Sequence, residues 1–312
     1  MLIEWLMALA QRAVELDRHW LATNLGRALQ LVGKPYGYEV EAMTHVRTGR
    51  PEKALAVLRR GANRAPWDWS ILELLGNIAS DLARPDEARA AYARSLGCED
   101  VEVRSVKYNL AACLQREGRF EEALREVTVS LGATGELRLH AYCLHGTLLS
   151  SLGRHDEALS SSEAIVGAAK DDGPESEATA LAIRARALSC SGKREASESQ
   201  IRAALELATP TMVLRILREI RDERSESARR FRLRLTGSWP DLIEGFGGPV
   251  DFLRELSVAA DSPQRALQLA SELEPFAARP TLSIDSCDDD GPSPGLTGVI
   301  SATGHFFHPR ET

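Results

Sequence analysis

The strongest constraint in this chain is a seven-residue phrase that returns at almost fixed distance. Gly118-Arg119-Phe120-Glu121-Glu122-Ala123-Leu124 has near copies at Gly49-Arg50-Pro51-Glu52-Lys53-Ala54-Leu55, Ala83-Arg84-Pro85-Asp86-Glu87-Ala88-Arg89 and Gly153-Arg154-His155-Asp156-Glu157-Ala158-Leu159. A worn fifth copy is Gly192-Lys193-Arg194-Glu195-Ala196. The alanines step from 54 to 88, 123 and 158, so the spacings are 34, 35 and 35 residues. A constant period in this range predicts a stacked array of helix pairs, because one pair cannot bury its apolar face alone and does so against its neighbours.

Each part of the phrase has a mechanical job. The glycine ends one helix in the left-handed conformation, where a Cβ would clash with the backbone. The proline or aromatic two residues later opens the next helix or packs under the turn. The acids fall in the first turn, where the helix dipole favours negative charge. The small alanine lets two helices approach closely. The composition agrees: the apolar fraction of 44% is ordinary, and the aromatic fraction of 5% is low, as expected of helix pairs packed through alanine and leucine.

The 312 residues are enough for an elongated array plus an appendage. A net charge of −7 gives no general reason to expect nucleic acid or an anionic membrane as partner. Cys98, Cys113, Cys143, Cys190 and Cys287 are odd in number and contain no C-x-x-C, so they read as reduced thiols rather than disulfides or zinc ligands. The start, Met1-Leu2-Ile3-Glu4-Trp5-Leu6, carries an acid where a signal peptide needs basic residues, and its apolar stretch is too short to span a bilayer. A soluble, cytoplasmic protein is expected.

Taken in order, Leu2, Leu6, Leu9, Ala13 and Leu16 have helical spacing, and a second helix is expected from His19 to Val32. Residues 1–34 therefore read as a degenerate capping pair, one of whose faces has no neighbour. From Pro35 five repeats follow, at about 35–68, 69–102, 104–137, 139–172 and 178–211. The first supplies Tyr38, Ala42, Ala54 and Pro66, the second Leu72, Leu75, Gly76, Ala88 and Tyr92, and the third Leu110, Ala111, Leu114, Gly118 and Ala123. The fourth supplies Tyr142, Gly146, Leu149, Gly153 and Ala158, and the fifth Leu181, Ala185, Leu188, Gly192 and Ala204.

In this arrangement the sequence resembles the tetratricopeptide repeat (TPR) family over about residues 35–211. It departs from the family pattern at Glu41 and His145, where leucine is usual, at Ala83 in place of the turn glycine, and at Ser197 in place of a helix alanine. The resemblance implies a mostly α protein, a right-handed α-solenoid of TPR-like helix pairs. Between the fourth and fifth repeats Asp171-Asp172-Gly173-Pro174-Glu175 lengthens the connection, which predicts a hinge or wider gap. Residues 211–228, with Val213, Leu214, Leu217 and Ile220 on one side, read as a helix that caps the array toward solvent, completing a repeat region of 35–228.

At Arg229 the period changes to two: Phe231, Leu233 and Leu235 alternate with Arg230, Arg232 and Arg234. Val250, Phe252, Leu256 and Val258 make a second strand, interrupted on its apolar side by Arg254. Ser262-Pro263 opens a helix, and Thr281–Cys287 and Gly298–Phe307 read as two more strands. The order β-β-α-β-β predicts a small α+β domain over 229–312, for which the sequence suggests no family.

In TPR arrays the first helices of the pairs line a channel through positions 2, 5, 6, 9, 12 and 13 of each repeat, where a partner peptide lies. The resemblance places Arg47, Asn77, Tyr108, Asn109, Arg116, His140, Thr147 and Arg186 among those positions. Tyr108 and Asn109 are the leading pair, an aromatic platform beside an amide able to bond an extended backbone. A TPR subclass that grips C-terminal carboxylates needs cations where Glu73, His140 and Leu144 stand, so that role is not expected. The interleaved arginines of 218–234 alternate with Glu219, Asp222, Glu223 and Glu226 and suggest a charge-protected strand rather than a nucleic-acid site. Cys287-Asp288-Asp289-Asp290 with His305 and His308 is not expected to bind metal, the histidines being three apart on an extended segment. Gly245-Phe246-Gly247-Gly248-Pro249 opens no helix and reads as a hairpin loop. No G-x-S-x-G, H-E-x-x-H or Walker pattern occurs, and no cofactor is expected. The leading expectation is a non-enzymatic adaptor binding a peptide or helix of another protein. The alternative is a regulatory or inhibitor-type protein whose C-terminal module does the binding.

Overall fold

The computed structural model describes residues 2–243, 245, 249–274 and 277–309. The chain divides into two compact units, Met1–Leu152 and Gly153–Thr312. In the first, helices alternate with short turns: α1 (Leu2–Glu15), α2 (His19–Leu31), α3 (Tyr36–Arg47), α4 (Pro51–Arg64), α5 (Trp69–Asp81), α6 (Pro85–Leu96), α7 (Val103–Arg116), α8 (Phe120–Ser130) and α9 (Gly135–Ser151). Each helix packs on the next in sequence, and the first helices of successive pairs, α1, α3, α5, α7 and α9, also touch one another. The second unit opens with α10 (His155–Ala169), α11 (Pro174–Cys190), α12 (Arg194–Leu207) and α13 (Thr211–Arg221).

The repeated phrase does what its residues require. Gly49, Gly118, Gly153 and Gly192 all have positive φ, between 68° and 77°, and Ala83 is held at 55° in the turn without glycine. The left-handed turn is therefore imposed by the repeat even where the side chain opposes it. Pro51 and Pro85 stand at helix starts, where the missing N–H has no partner to lose. Asp68 caps α5, its Oδ1 accepting from the Ser70 and Ile71 amides at 3.2 Å. Ala54, Ala88, Ala123 and Ala158 are buried, and Tyr92 lies so close over Gly76 that a Cβ there would come within 2.5 Å of the ring.

Two departures from the repeat pattern have local explanations. Glu41 is 2% exposed, and its carboxylate accepts from Arg27 Nε at 3.0 Å, Gln30 Nε2 at 2.8 Å and Arg60 Nη2 at 3.3 Å. Ser197 is also buried and donates to the Ala185 carbonyl at 2.7 Å, so its hydroxyl leaves no open bond. The lengthened connection after the fourth repeat is taken up by a 3-10 turn, Lys170–Asp172, and α11 begins at Pro174 after Gly173.

The C-terminal strands are β1 (Arg224–Ser225), β2 (Arg229–Ser238), β3 (Val250–Ala260), β4 (Ser283–Pro292), β5 (Gly295–Leu296), β6 (Gly298–Ala302) and β7 (Phe306–Pro309), with α14 (Pro263–Ser271) between β3 and β4. The main sheet runs β4-β2-β3-β6, with β7 also on β3, and every pairing is antiparallel. Phe231, Leu233, Leu235, Val250, Phe252, Leu256 and Val258 form its buried side, with α14 packed on β3 and β6.

The β-β-α-β-β order thus holds, with two corrections. The last expected strand is broken into β6 and β7 at Thr303–His305, where Thr303 bonds back to Glu255. The helix expected over 211–228 stops at Arg221, because Asp222 turns left-handed (φ 48°) and β1 pairs with β5 immediately after. Its apolar side, Val213, Leu214, Ile216 and Leu217, is buried where α13 packs on α11 and β6, while Arg215 and Glu219 on its other side are exposed. The glycine-rich stretch 245–249 lies largely outside the described residues.

Candidate partner-binding surfaces

The side chains facing along the row α3, α5, α7 and α9 form a ladder with the repeat's own period. The fifth residue of one repeat meets the second residue of the next. Ser70 Oγ donates to Glu39 at 2.5 Å, and Ser105 Oγ donates to Glu73 at 2.6 Å. At the following junction the same two positions hold Tyr108 and His140, whose ring centroids are 6.1 Å apart at 70°. A second set of ties joins the far ends of these helices: Arg47 to Asp17 at 2.7 Å, and Arg116 to Asp81 and Ser80, both at 2.9 Å.

The residues selected from the sequence are accordingly engaged within the protein. Asn109 Nδ2 donates to Glu73 at 2.9 Å, and Asn77 accepts from the Tyr92 hydroxyl at 2.8 Å. Thr147 donates to the Cys143 carbonyl at 2.8 Å. Asn77, Tyr108, Asn109, Arg116, His140 and Thr147 share the helix row, as does Arg47 at its first end. Arg186 belongs to the second unit, where it pairs with Glu219 at 3.3 Å.

Burial raises the Glu39 carboxyl above its ordinary value; the Ser70 bond opposes this, and the charges of Asp68 and Glu73 add to it. Burial also raises Glu73, against the bonds from Ser105 and Asn109. Neither forms an ion pair with a cation among the described residues. The row therefore presents half-buried carboxylates held by hydroxyl and amide donors. Glu73, His140 and Leu144 occupy the positions where a grip on a terminal carboxylate would require cations.

The second unit holds a polar centre that sequence reasoning did not assemble. Arg254 is 3% exposed on the apolar side of β3. Its Nη1 donates to Glu274 at 2.7 Å, its Nη2 to Thr209 at 2.6 Å and its Nε to the Thr303 carbonyl at 2.9 Å. The other Glu274 oxygen lies 2.6 Å from His305 Nε2, and that ring is stacked or edge-on against Trp239, Phe252 and Phe307. Burial alone would raise Glu274, but the His305 bond and the Arg254 charge together hold it below the usual carboxylate value. The signal in the sequence was Arg254 interrupting an apolar alternation; its partners are remote in the chain and could not be named.

This network borders a cleft of about 1880 Å³ whose walls come from α12, α13, the end of β2 and the segments after α14 and β6. Exposed arginines of β2 are neutralised across strands, Arg229 by Asp289, Arg232 by Asp290 and Arg234 by Glu255. A basic face suited to phosphate contacts is therefore not formed by these residues. Among the described residues no three His, Cys, Asp or Glu side chains are grouped to hold a metal, and no helix is long and apolar enough to cross a membrane.

Comparison with known proteins finds tetratricopeptide repeat profiles matching residues 35–60 and 105–127 and, for a second such profile, 139–172. A search of curated protein sequences finds no match. Among solved structures, the type IV pilus biogenesis factor PilW is similar at a TM-score of 0.53 and 16% identity, over 66% of this chain and 93% of PilW. A tetratricopeptide repeat protein from Parabacteroides merdae is similar at a TM-score of 0.54 and 16% identity, over 70% of this chain and 85% of its own. At these identities the likeness is one of fold.

Proposed function

From a chain that carries tetratricopeptide repeats, we propose a non-enzymatic scaffold that binds a peptide segment or helix of another protein along the row formed by α3, α5, α7 and α9. The observation that carries this reading is the ladder at the fifth and second repeat positions. It arrays Glu39, Glu73, Tyr108 and His140 in sequence order on adjoining helices, with Asn109 beside it on Glu73, and its donors are ones that a bound backbone or side chain can replace. A photo-crosslinking amino acid at position 108 in the full chain tests it. The expected result is a covalent adduct to one partner segment in cells, lost when Asn109 is changed to alanine. Adducts that persist unchanged with Asn109→Ala, or none at all, would sink the reading.

A second reading places partner binding in the C-terminal module, and the part of the cleft that Trp239, Arg279 and Gly304 line favours it. The same crosslinker at position 279 separates the two, since a partner held by the module labels position 279 and spares 108.

A further inference from the structure

Helix α12 turns a complete stripe toward the cleft. Arg194, Glu198, Arg202 and Glu206 recur every four residues along it, with Ile201 and Leu205 one turn-face beneath. In the first unit α4, α6 and α8 cover the equivalent side by packing against α5, α7 and α9, the first helices of the next pairs. Here that arrangement fails. Helix α13 leans on α11 and on β6 rather than lying along α12, and no second helix follows to complete its pair. The sheet stands beyond, and the gap between them is the cleft.

The cleft, of about 1880 Å³, is lined along α12 from Arg194 to Glu206, a span over which a helix rises about 18 Å. The walls match an amphipathic occupant. Ile201, Leu217 and Leu273 are buried at the base, with Leu205 and Ile220 half-buried above them. On the rim Arg194 is paired with Glu198 at 3.1 Å, while Arg202 and Glu206 make no hydrogen bond or ion pair among the described residues. The far wall is already fixed, since Arg254 and Glu274 spend their bonds on each other, on Thr209, on Thr303 and on His305.

We infer that this cleft is a docking site for one amphipathic α-helix of a partner protein, lying along α12 and continuing the stack of helix on helix that the repeats build elsewhere. Its apolar stripe rests on Leu205 and Ile220, and it sets an acid against Arg202 and a base against Glu206. This site is separate from the helix row of the first unit.

The test uses fluorescent, end-capped 16-residue peptides and the full chain, read by anisotropy. One is a leucine-striped helix former with flanking acids and bases in the order the rim requires. The second has those charges exchanged. The third is the first with a central proline, and the fourth has the same composition in strict alternation. The matched helix is expected to bind at least ten-fold more tightly than the proline-broken and alternating peptides. Leu205→Glu should abolish that advantage, and Arg202→Glu should transfer the preference to the charge-exchanged helix. Equal binding of the alternating peptide, indifference to Leu205→Glu, or no binding by any of the four would overturn the inference. Both variants alter side chains that are exposed or half-buried, and an unchanged circular dichroism spectrum will show that they fold.

Discussion

The helix row of the first unit and the polar centre of the second treat charge in opposite ways. Glu39 and Glu73 are half-buried and meet only hydroxyl and amide donors, so burial dominates and raises their carboxyls. Glu274 is buried more completely, yet an arginine and a histidine hold its carboxyl down. The repeat junctions are held by left-handed turns, buried alanines and close helix approach, and their charges are left loosely tied. The module has a sheet whose apolar side is interrupted by an arginine, and there a fully bonded ion network locks β3, the end of α14 and the β6–β7 corner together. The proposed partner surface tolerates loose charges, and a fold held by one polar cross-link does not.

The largest expected effect breaks the module. Arg254→Ala leaves Glu274 buried with one partner fewer, and removing one member of a buried ion pair costs about 3–5 kcal/mol. Urea unfolding should show that loss; a change below about 1 kcal/mol would mean that the network is incidental to stability. In the repeats the corresponding weak point is a small residue. Ala123 is fully buried, and Ala123→Arg should destabilise by about 2 kcal/mol or more through overpacking and a buried charge. An unchanged melting temperature would contradict the close contact.

A smaller change in the other direction sharpens the turn argument. Ala83 holds φ at 55° where the other copies have glycine, so Ala83→Gly should stabilise by about 0.5–1 kcal/mol, relief of left-handed strain outweighing the added freedom of the unfolded chain. Destabilisation there would show that the alanine side chain contributes packing.

The smallest effect is in pH dependence, and its sign differs between the regions. The raised Glu73 carboxyl imposes no penalty below its unfolded value, where it is neutral in both states, and a full one above its folded value. The advantage of Glu73→Gln over the native chain should therefore appear as pH rises through the carboxylate range. Glu274 is depressed, so its contribution is complete above the unfolded value and is lost as pH falls through the folded one. Melting curves of the native chain and Glu73→Gln between acid and neutral pH, with Glu274→Gln measured alongside, should show these opposite trends.

Much of the architecture was legible because it is local and repeated. A glycine or its substitute, then acids, then alanine at spacings of 34 and 35 residues, specifies a left-handed turn and a helix start wherever it occurs, independently of what lies beyond. The alternation of Phe231, Leu233 and Leu235 with arginines likewise announced a strand. The extent of α13 was not legible, since the break at Asp222 is set by the pairing of β1 with β5, about 70 residues later in the chain. The candidate side chains were placed by repeat position, but their partners were not. Asn109 reaches back 36 residues to Glu73, and Asn77 is taken by the Tyr92 that also shields Gly76.

By itself, then, the sequence determined the period, the turns, the small-residue contacts and the change from helix to sheet, all of which depend on backbone conformation and near neighbours. Only the tertiary structure decided which charges are locked and which remain exchangeable. It also decided that Arg254 finds Glu274, Thr209 and His305, and that a cleft opens beside α12. The reason is physical: a bond or a cavity between segments 20 to 80 residues apart depends on how several elements pack at once, and no one stretch of chain carries that information.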